Sequence, residues 1–267
     1  MVETQFIQAL GISHTGYLRA NNEDRWGITE IGIPPENTGS ALLAVLADGV
    51  GGQQGGEIAA LLAVDTITAS ITATPLENPL QALENAIQEA NTKINEHGQQ
   101  NSDVHGMGST VVCALLLGKR LFTASLGDSR IYLVRKDTIQ QTSQDHTWLN
   151  EARSAGVAGL EQMNRNHPFA HVLNRYLGTP SSPIVDLRLR LNPEESEEQT
   201  LSNQGTELLS GEFVLLSSDG LTDMVSNAQI LETFQSLPFE QIPDALVAMA
   251  LENGGHDNIT LIVMRVL

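Results

Sequence analysis

The chain has 267 residues, 41% of them hydrophobic, and 32 acids against 14 Lys and Arg give a formal charge of -18. That length and apolar content suffice for one large α/β or α+β domain, and the charge argues against nucleic acid and anionic membrane surfaces as partners, which it would repel. No apolar stretch approaches the roughly 20 residues that span a bilayer, and MVETQFIQAL lacks a basic region followed by an apolar one, so a soluble, unexported, cytoplasmic protein is expected.

In chain order, residues 5–13 and 25–31 read as a strand pair flanking the segment RANNED (19–24), and a loop at 32–39 is marked by two prolines. The apolar run 41–47 is the next strand and ends abruptly at Asp48. A turn built largely from glycine follows, and then a broad apolar helix over 57–73, broken at Pro75. The helix at 79–96 is clearer, because Leu80, Leu83, Ile87, Ala90 and Ile94 recur at three and four. Strands at 109–117, 120–126, 130–135 and 138–141 are separated by short turns. Cys113, the only cysteine, lies within the first of these, which excludes an internal disulfide and fits a small core residue in a reducing compartment. Over 145–183 the periodicity weakens, which predicts a subdomain of short, more mobile helices. A strand at 184–191, an acidic solvated loop at 194–198 (EESEE), a strand at 213–218, helical faces near 230–234 and 242–250, and a final strand at 259–266 complete the chain. With no repeat and no linker, residues 1–267 read as a single domain.

Short hairpins require antiparallel pairing, yet ALLAVLA, VVCALLL and FVLL are apolar at consecutive positions, so both faces of those strands must be covered. Two antiparallel sheets packed face to face, with helices outside, satisfy both requirements and predict a four-layer α-β-β-α sandwich of the α+β class.

Acids recur where apolar runs meet glycine. Asp48 precedes GVGGQQGG, Asp219 and Gly220 follow FVLLSS, and Gly127-Asp128-Ser129-Arg130 follows the run 121–126. Asp257 and Asn258 precede the last strand, and Arg19, Asn22, Glu23 and Asp24 lie in RANNED. Singly, each corner could be turn chemistry, with Asp48 a helix cap. Five together are hard to ascribe to turns. Carboxylates with a backbone carbonyl suit hard divalent ions such as Mg²⁺ or Mn²⁺, and no His pair or CxxC spacing suggests zinc. Acids from separate strand ends can hold two ions about 3.5 to 4 Å apart, close enough to share a water and make it a nucleophile toward phosphorus. Arg19 is the cation in these motifs whose fork suits phosphate; its alternative is a surface pairing with Glu23.

RANNED, ADGVGG, GDSRIY, SSDGLTD and GGHDN, in this order over nearly the whole chain, resemble the motif series of the metal-dependent protein phosphatases, the type 2C serine/threonine phosphatases, in their compact bacterial form. The resemblance implies the layered sandwich and hydrolysis of phosphoserine and phosphothreonine in a phosphorylated protein by a metal-bound hydroxide. It implies two Mn²⁺ or Mg²⁺ ions, with Asp48 bridging them, the Gly49 carbonyl on the second and Asp219 and Asp257 on the first. Glu23 and Asp24 would act on the second ion through water, Asp128 matches an acid that helps hold a third, and Asn258, with Asn22, would support the ligands. Residues 145–183 resemble the flap that borders the cleft, and a monomer is expected.

One departure matters. The corner usually reads GGHAGG, with a His that protonates the leaving oxygen, whereas this chain has GGQQGG and Gln53 at that position. Gln has no titratable proton, and losing a general acid typically costs about 10² to 10⁴ in rate. His14, where bacterial relatives often have Asp, His146 and His256 are candidates to substitute, although a structural or surface role is the simpler reading of each. Two alternatives therefore stand beside the phosphatase: a weakly active or inactive module that binds phosphoproteins in a regulatory role, and a phosphatase of small phosphate esters.

Overall fold

The computed structural model describes residues 1–32, 41–50, 55–157 and 171–267. Two antiparallel sheets form its centre. One takes the order β1 (Val2–Glu3), β2 (Ile7–His14), β11 (Ile259–Val266), β10 (Phe213–Ser217), β7 (Arg130–Arg135), β8 (Thr138–Gln141). The other runs β3 (Arg25–Ile31), β4 (Ala41–Ala47), β5 (Val111–Leu117), β6 (Arg120–Leu126), β9 (Thr206–Glu207). The expected pairing of the first two long strands is not found. β2 pairs with β1 and β11, whereas β3 pairs with β4, so RANNED carries the chain from one sheet to the other.

Alternation along each strand explains the uniformly apolar runs. Leu42, Ala44 and Leu46 of β4 meet Ile131, Leu216 and Ile262 in a cluster between the sheets. Leu43, Val45 and Ala47 point the other way, onto Ala63 and Ile67 of α1 (Gly56–Ala73) and Leu83 and Ile87 of α2 (Pro79–Gln100). Across the sandwich, Leu215, Leu261 and Val263 pack on Ile230 and Phe234 of α6 (Asn227–Ser236) and on Leu246 and Ala250 of α7 (Ile242–Glu252). The order is thus helix, sheet, sheet, helix, and every central strand is apolar on both faces because each face has its own partner layer.

α1 is 18 residues and apolar enough to cross a bilayer by length and composition alone, contrary to the sequence expectation. In the fold its Ala59, Ala63 and Ile67 are fully buried against β4 and α2. Its N-terminus is preceded by Gly55 at φ 91°, a left-handed conformation that disfavours a Cβ. Two expectations farther along are corrected. The segment 184–191 is not a strand, because its backbone bonds go to separate partners: Asp186 to Ser125, Leu189 to Thr200 and Arg190 to Thr142. Within the acidic stretch 194–198 a helix begins, α4 (Glu197–Ser202), started by a reciprocal cap between Ser196 and Gln199, with Glu197 and Glu198 favoured in its first turn. Two further short helices, α3 (Trp148–Ser154) and α5 (Asp219–Thr222), lie near the acids.

Candidate active site

Antiparallel pairing places the start of one strand beside the end of its neighbour, and this is what gathers the acids. Arg25 of β3 is opposite Ala47 of β4, so Asp24, just before β3, and Asp48, just after β4, leave one edge together. In the other sheet Ser217 of β10 is opposite both Arg130 of β7 and Leu261 of β11, so Asp219, Asp128 and Asp257 leave the same end. A cleft of about 530 Å³ is lined by Arg19, Asp48, Gly49, Asp128, Asp219 and Asp257. A neighbouring groove of about 630 Å³ shares Asp128, His171, Asp219 and Asp223 with it.

Each acid is held by local bonds. The Asp48 N–H donates to Thr110 Oγ1 at 3.1 Å, and its carbonyl accepts from the Thr110 N–H at 2.8 Å and the Ser109 hydroxyl at 2.9 Å. Ser218 Oγ donates to Asp24 Oδ2 at 2.9 Å. Asn258 ties the other side: its Oδ1 accepts from the Glu23 N–H at 2.7 Å, while its Nδ2 donates to the carbonyls of Thr15 at 2.8 Å and Asn21 at 2.9 Å. Asn22 donates to Ser13 Oγ at 2.7 Å and accepts from the Asp24 N–H at 3.0 Å. Arg19 Nη2 lies 2.6 Å from Asp257 Oδ2, so its partner is Asp257 and not Glu23. A Cβ on Gly49 would collide with the backbone of Gly56, and one on Gly56 would come within 2.9 Å of Glu23 Oε2. Glycine at these two positions lets the strand end, the helix start and Glu23 share one corner.

The electrostatics are unfavourable for the acids alone. Burial, then repulsion from Asp24 and Asp219, holds the Asp48 carboxyl well above the usual range. Burial, then Asp128 and Asp257, does the same to Asp219. Burial pushes Asp24 to about 6 and Asp128 to about 7. Asp24 Oδ1 is buried with no hydrogen-bond partner among the described residues. Asp128, His171 and Asp219 offer ligand atoms that all lie within 4.8 Å of one another. An oxygen-rich, mutually repelling set with an orphaned carboxylate oxygen fits hard divalent cations, which would remove both penalties.

A family model described as Protein phosphatase 2C matches residues 19–254. The chain belongs to the protein phosphatase 2C family. A serine/threonine phosphatase of Listeria innocua is 31% identical over 258 residues, covering 94% of this chain and 92% of the relative. The crystal structure of the serine/threonine phosphatase Stp1 from Staphylococcus aureus superposes with a TM-score of 0.80 at 30% identity, covering 100% of this chain and 98% of that one. The catalytic domain of PstP, solved in complex with two manganese ions, superposes with a TM-score of 0.74 at 30% identity over 98% of this chain and 99% of that one.

Within this phosphatase 2C fold, Arg19, Asp48, Gly49, Asp128, Asp219 and Asp257 share the cleft wall, Glu23 packs against Gly56 beside it, and Asn22 and Asn258 brace the loop that brings Asp24 in. Gln53 lies outside the described residues. Of the three candidate histidines, His256 lines a small cavity with Asp219 and Asp257. His146 is buried with both ring nitrogens engaged, which rules it out as a proton donor to substrate. His14 Nδ1 accepts from the Gly16 N–H at 2.9 Å. Among the acids and histidines that line the cleft, His171 and Asp223 escaped the sequence analysis. Asp223 had a usable signal, since it closes the SSDGLTD motif four residues after Asp219; in the structure its N–H bonds to the Asp219 carbonyl at 2.8 Å. His171 had none, for it comes from a stretch without periodicity.

Proposed function

We propose that this chain hydrolyses phosphoserine and phosphothreonine in phosphorylated proteins with two divalent ions, manganese or magnesium. Asp48, the Gly49 carbonyl, Asp219 and Asp257 would hold the ions, with Glu23 and Asp24 behind them and Asp128 beside Asp219 for a third. When bound, such ions activate water as a nucleophile and neutralise charge on the phosphoryl group. Arg19, at the rim and 42% exposed, keeps donors beyond the one given to Asp257, and these would orient the phosphate oxygens. Asn258 and Asn22 fix the entry loop so that Asp24 and Glu23 stay in place, and in the sequence Gln53 stands where the family's glycine-rich motif usually has its proton-donating His. Residues 145–183, of which 158–170 lie outside the described residues, would serve as the flap, and the monomeric, cytoplasmic state expected from the sequence belongs to the same reading.

The observation that supports this most is the convergence of Asp24, Asp48, Asp128, Asp219 and Asp257 from both sheets on one edge, where burial and mutual repulsion raise the carboxyls of Asp24, Asp48, Asp128 and Asp219, a penalty that bound cations would relieve. The test is phosphate release from a phosphoserine peptide with and without Mn²⁺, for wild type and Asp219→Ala. Manganese-dependent release that falls at least about 100-fold in the variant is expected. Manganese binding without release would indicate a recognition module, and release only from small esters would exclude protein substrates.

A further inference from the structure

His146 is buried, with its side chain 2% exposed, and its ring is tied to the turn that carries Asp128. Its Nδ1 accepts from the Gly127 N–H at 3.0 Å, and its own N–H donates to the Gly127 carbonyl at 2.9 Å. Both backbone groups of Gly127 are therefore bonded to one residue. Because Nδ1 accepts, the ring proton is assigned to Nε2, which faces Asp186 Oδ2 at 3.4 Å. Asp186 is in turn clamped by Arg188 through bonds of 2.8 and 2.9 Å, which orients the ring from behind.

The turn needs such a clamp. Gly127 has φ 109°, and a Cβ there would come within 2.6 Å of Thr110, the residue whose hydroxyl receives the Asp48 N–H. The turn is thus wedged against the support of one ion ligand while presenting another. The His146 carbonyl also accepts from the Asn174 N–H at 2.9 Å, three residues from His171. One residue therefore connects the Asp128 turn with the segment that brings His171 to Asp128 and Asp219.

We propose that His146 is a positioning residue whose Nδ1 holds the Gly127–Asp128 turn so that Asp128 stays aimed at the ion position it shares with Asp219. The proposal rests on the reading of Asp128 as an ion ligand. Residues that orient a metal ligand typically change affinity or activity about 10- to 100-fold when lost.

Two substitutions separate the ring's two contacts. In His146→Asn the amide oxygen falls near the place of Nδ1 and can accept from Gly127, but nothing reaches Asp186. In His146→Gln the amide falls near Nε2 and can reach Asp186, leaving the Gly127 N–H without its acceptor. Manganese binding to the metal-free protein by calorimetry, kcat and KM on an aryl phosphate, and Tm are measured for both. His146→Gln is expected to lose its weakest manganese equivalent and at least about tenfold in kcat, with KM within about twofold of wild type. His146→Asn should stay within about threefold of wild type on both readouts.

A His146→Gln protein that matches wild type overturns the proposal, as does a His146→Asn protein that loses as much as His146→Gln. Should neither variant fold, hydrogen exchange on the wild type decides: slow exchange at the Gly127 amide, slowed further by manganese, supports the clamp, and exchange as fast as an open loop refutes it. A wild type that binds no manganese at all overturns the ion reading itself, an outcome distinguishable from failure of the clamp alone.

Discussion

Removing the divalent ions should make the protein less stable as the pH rises, the reverse of ordinary acid denaturation. Burial, with the charge of Asp257 adding to it, outweighs the Ser218 hydrogen bond and holds Asp24 at about 6 against an ordinary 3.8. Burial, with Asp145 adding, takes Asp128 to about 7. Between pH 3.8 and these values the folded chain binds protons that the unfolded chain has released, so stability falls as pH rises through the window and the whole penalty is present above it. For Asp24 alone, the difference between 3.8 and about 6 amounts to about 3 kcal/mol at pH 8. In a chain of this size that corresponds to roughly 6 to 12 °C in Tm. Asp186, which the His146 and Arg188 bonds hold below the usual range despite burial, titrates beneath this window and does not mask the trend.

The assay is thermal unfolding of chelator-treated protein at pH 5, 6, 7 and 8, with and without saturating Mn²⁺. Metal-free Tm should fall by at least about 6 °C across the series. Manganese at about 100 times its Kd should return about 2.7 kcal/mol at the alkaline end. Asp24→Asn keeps an acceptor for Ser218 Oγ but removes the charge. Without ions at pH 8 it should therefore be more stable than wild type, and with manganese it should gain less. A metal-free Tm that stays level or climbs from pH 5 to 8, or an Asp24→Asn protein less stable than wild type without ions at pH 8, would show that these acids are not the strained set described.

Two further outcomes follow from single residues. Gln53→His should raise turnover of a phosphoserine peptide by about 10²-fold and that of an aryl phosphate much less, because a phenolate leaves without a proton and a serine alkoxide does not; equal or no gain on both substrates would mean that another group already donates the proton or that chemistry is not limiting. Asn258→Ala removes the acceptor for the Glu23 N–H and the donor to Thr15 and Asn21, and should destabilise the fold by about 3 kcal/mol in urea unfolding. A loss below about 1 kcal/mol would show that the entry loop is held by other bonds.

Much of the fold was legible in the sequence because its strands are bounded by sharp chemical punctuation. The bounds of β3, β4, β6, β7, β8 and β11 agree with the strands expected from the sequence, helped by turn residues such as Gly32, Asp48, Gly127 and Asp137 beside their ends. The layer order was legible too, because a run such as ALLAVLA can bury both its faces only between two partner layers. Pairing was harder. β2 and β3 are close in sequence, and only the register of β2 with β11, near the far end of the chain, shows that they belong to different sheets. Segment 184–191 alternates like a strand, yet the backbone of Asp186 bonds to Ser125, that of Leu189 to Thr200 and that of Arg190 to Thr142, contacts from different parts of the chain that periodicity cannot encode.

By itself the sequence determined which residue types stand at the strand ends, and so the chemistry open to them: Asp48, Asp128, Asp219 and Asp257 carry carboxylate oxygens, which suit hard cations, wherever the chain folds. Only the tertiary structure decided that they meet. It turned Arg19 to Asp257, enlisted His171 and Asp223, and gave His146 a place behind the Gly127 turn in place of one facing substrate. The physical reason is that side-chain chemistry is a property of each residue, whereas burial, charge repulsion and the shared edge of two sheets arise only when distant segments pack.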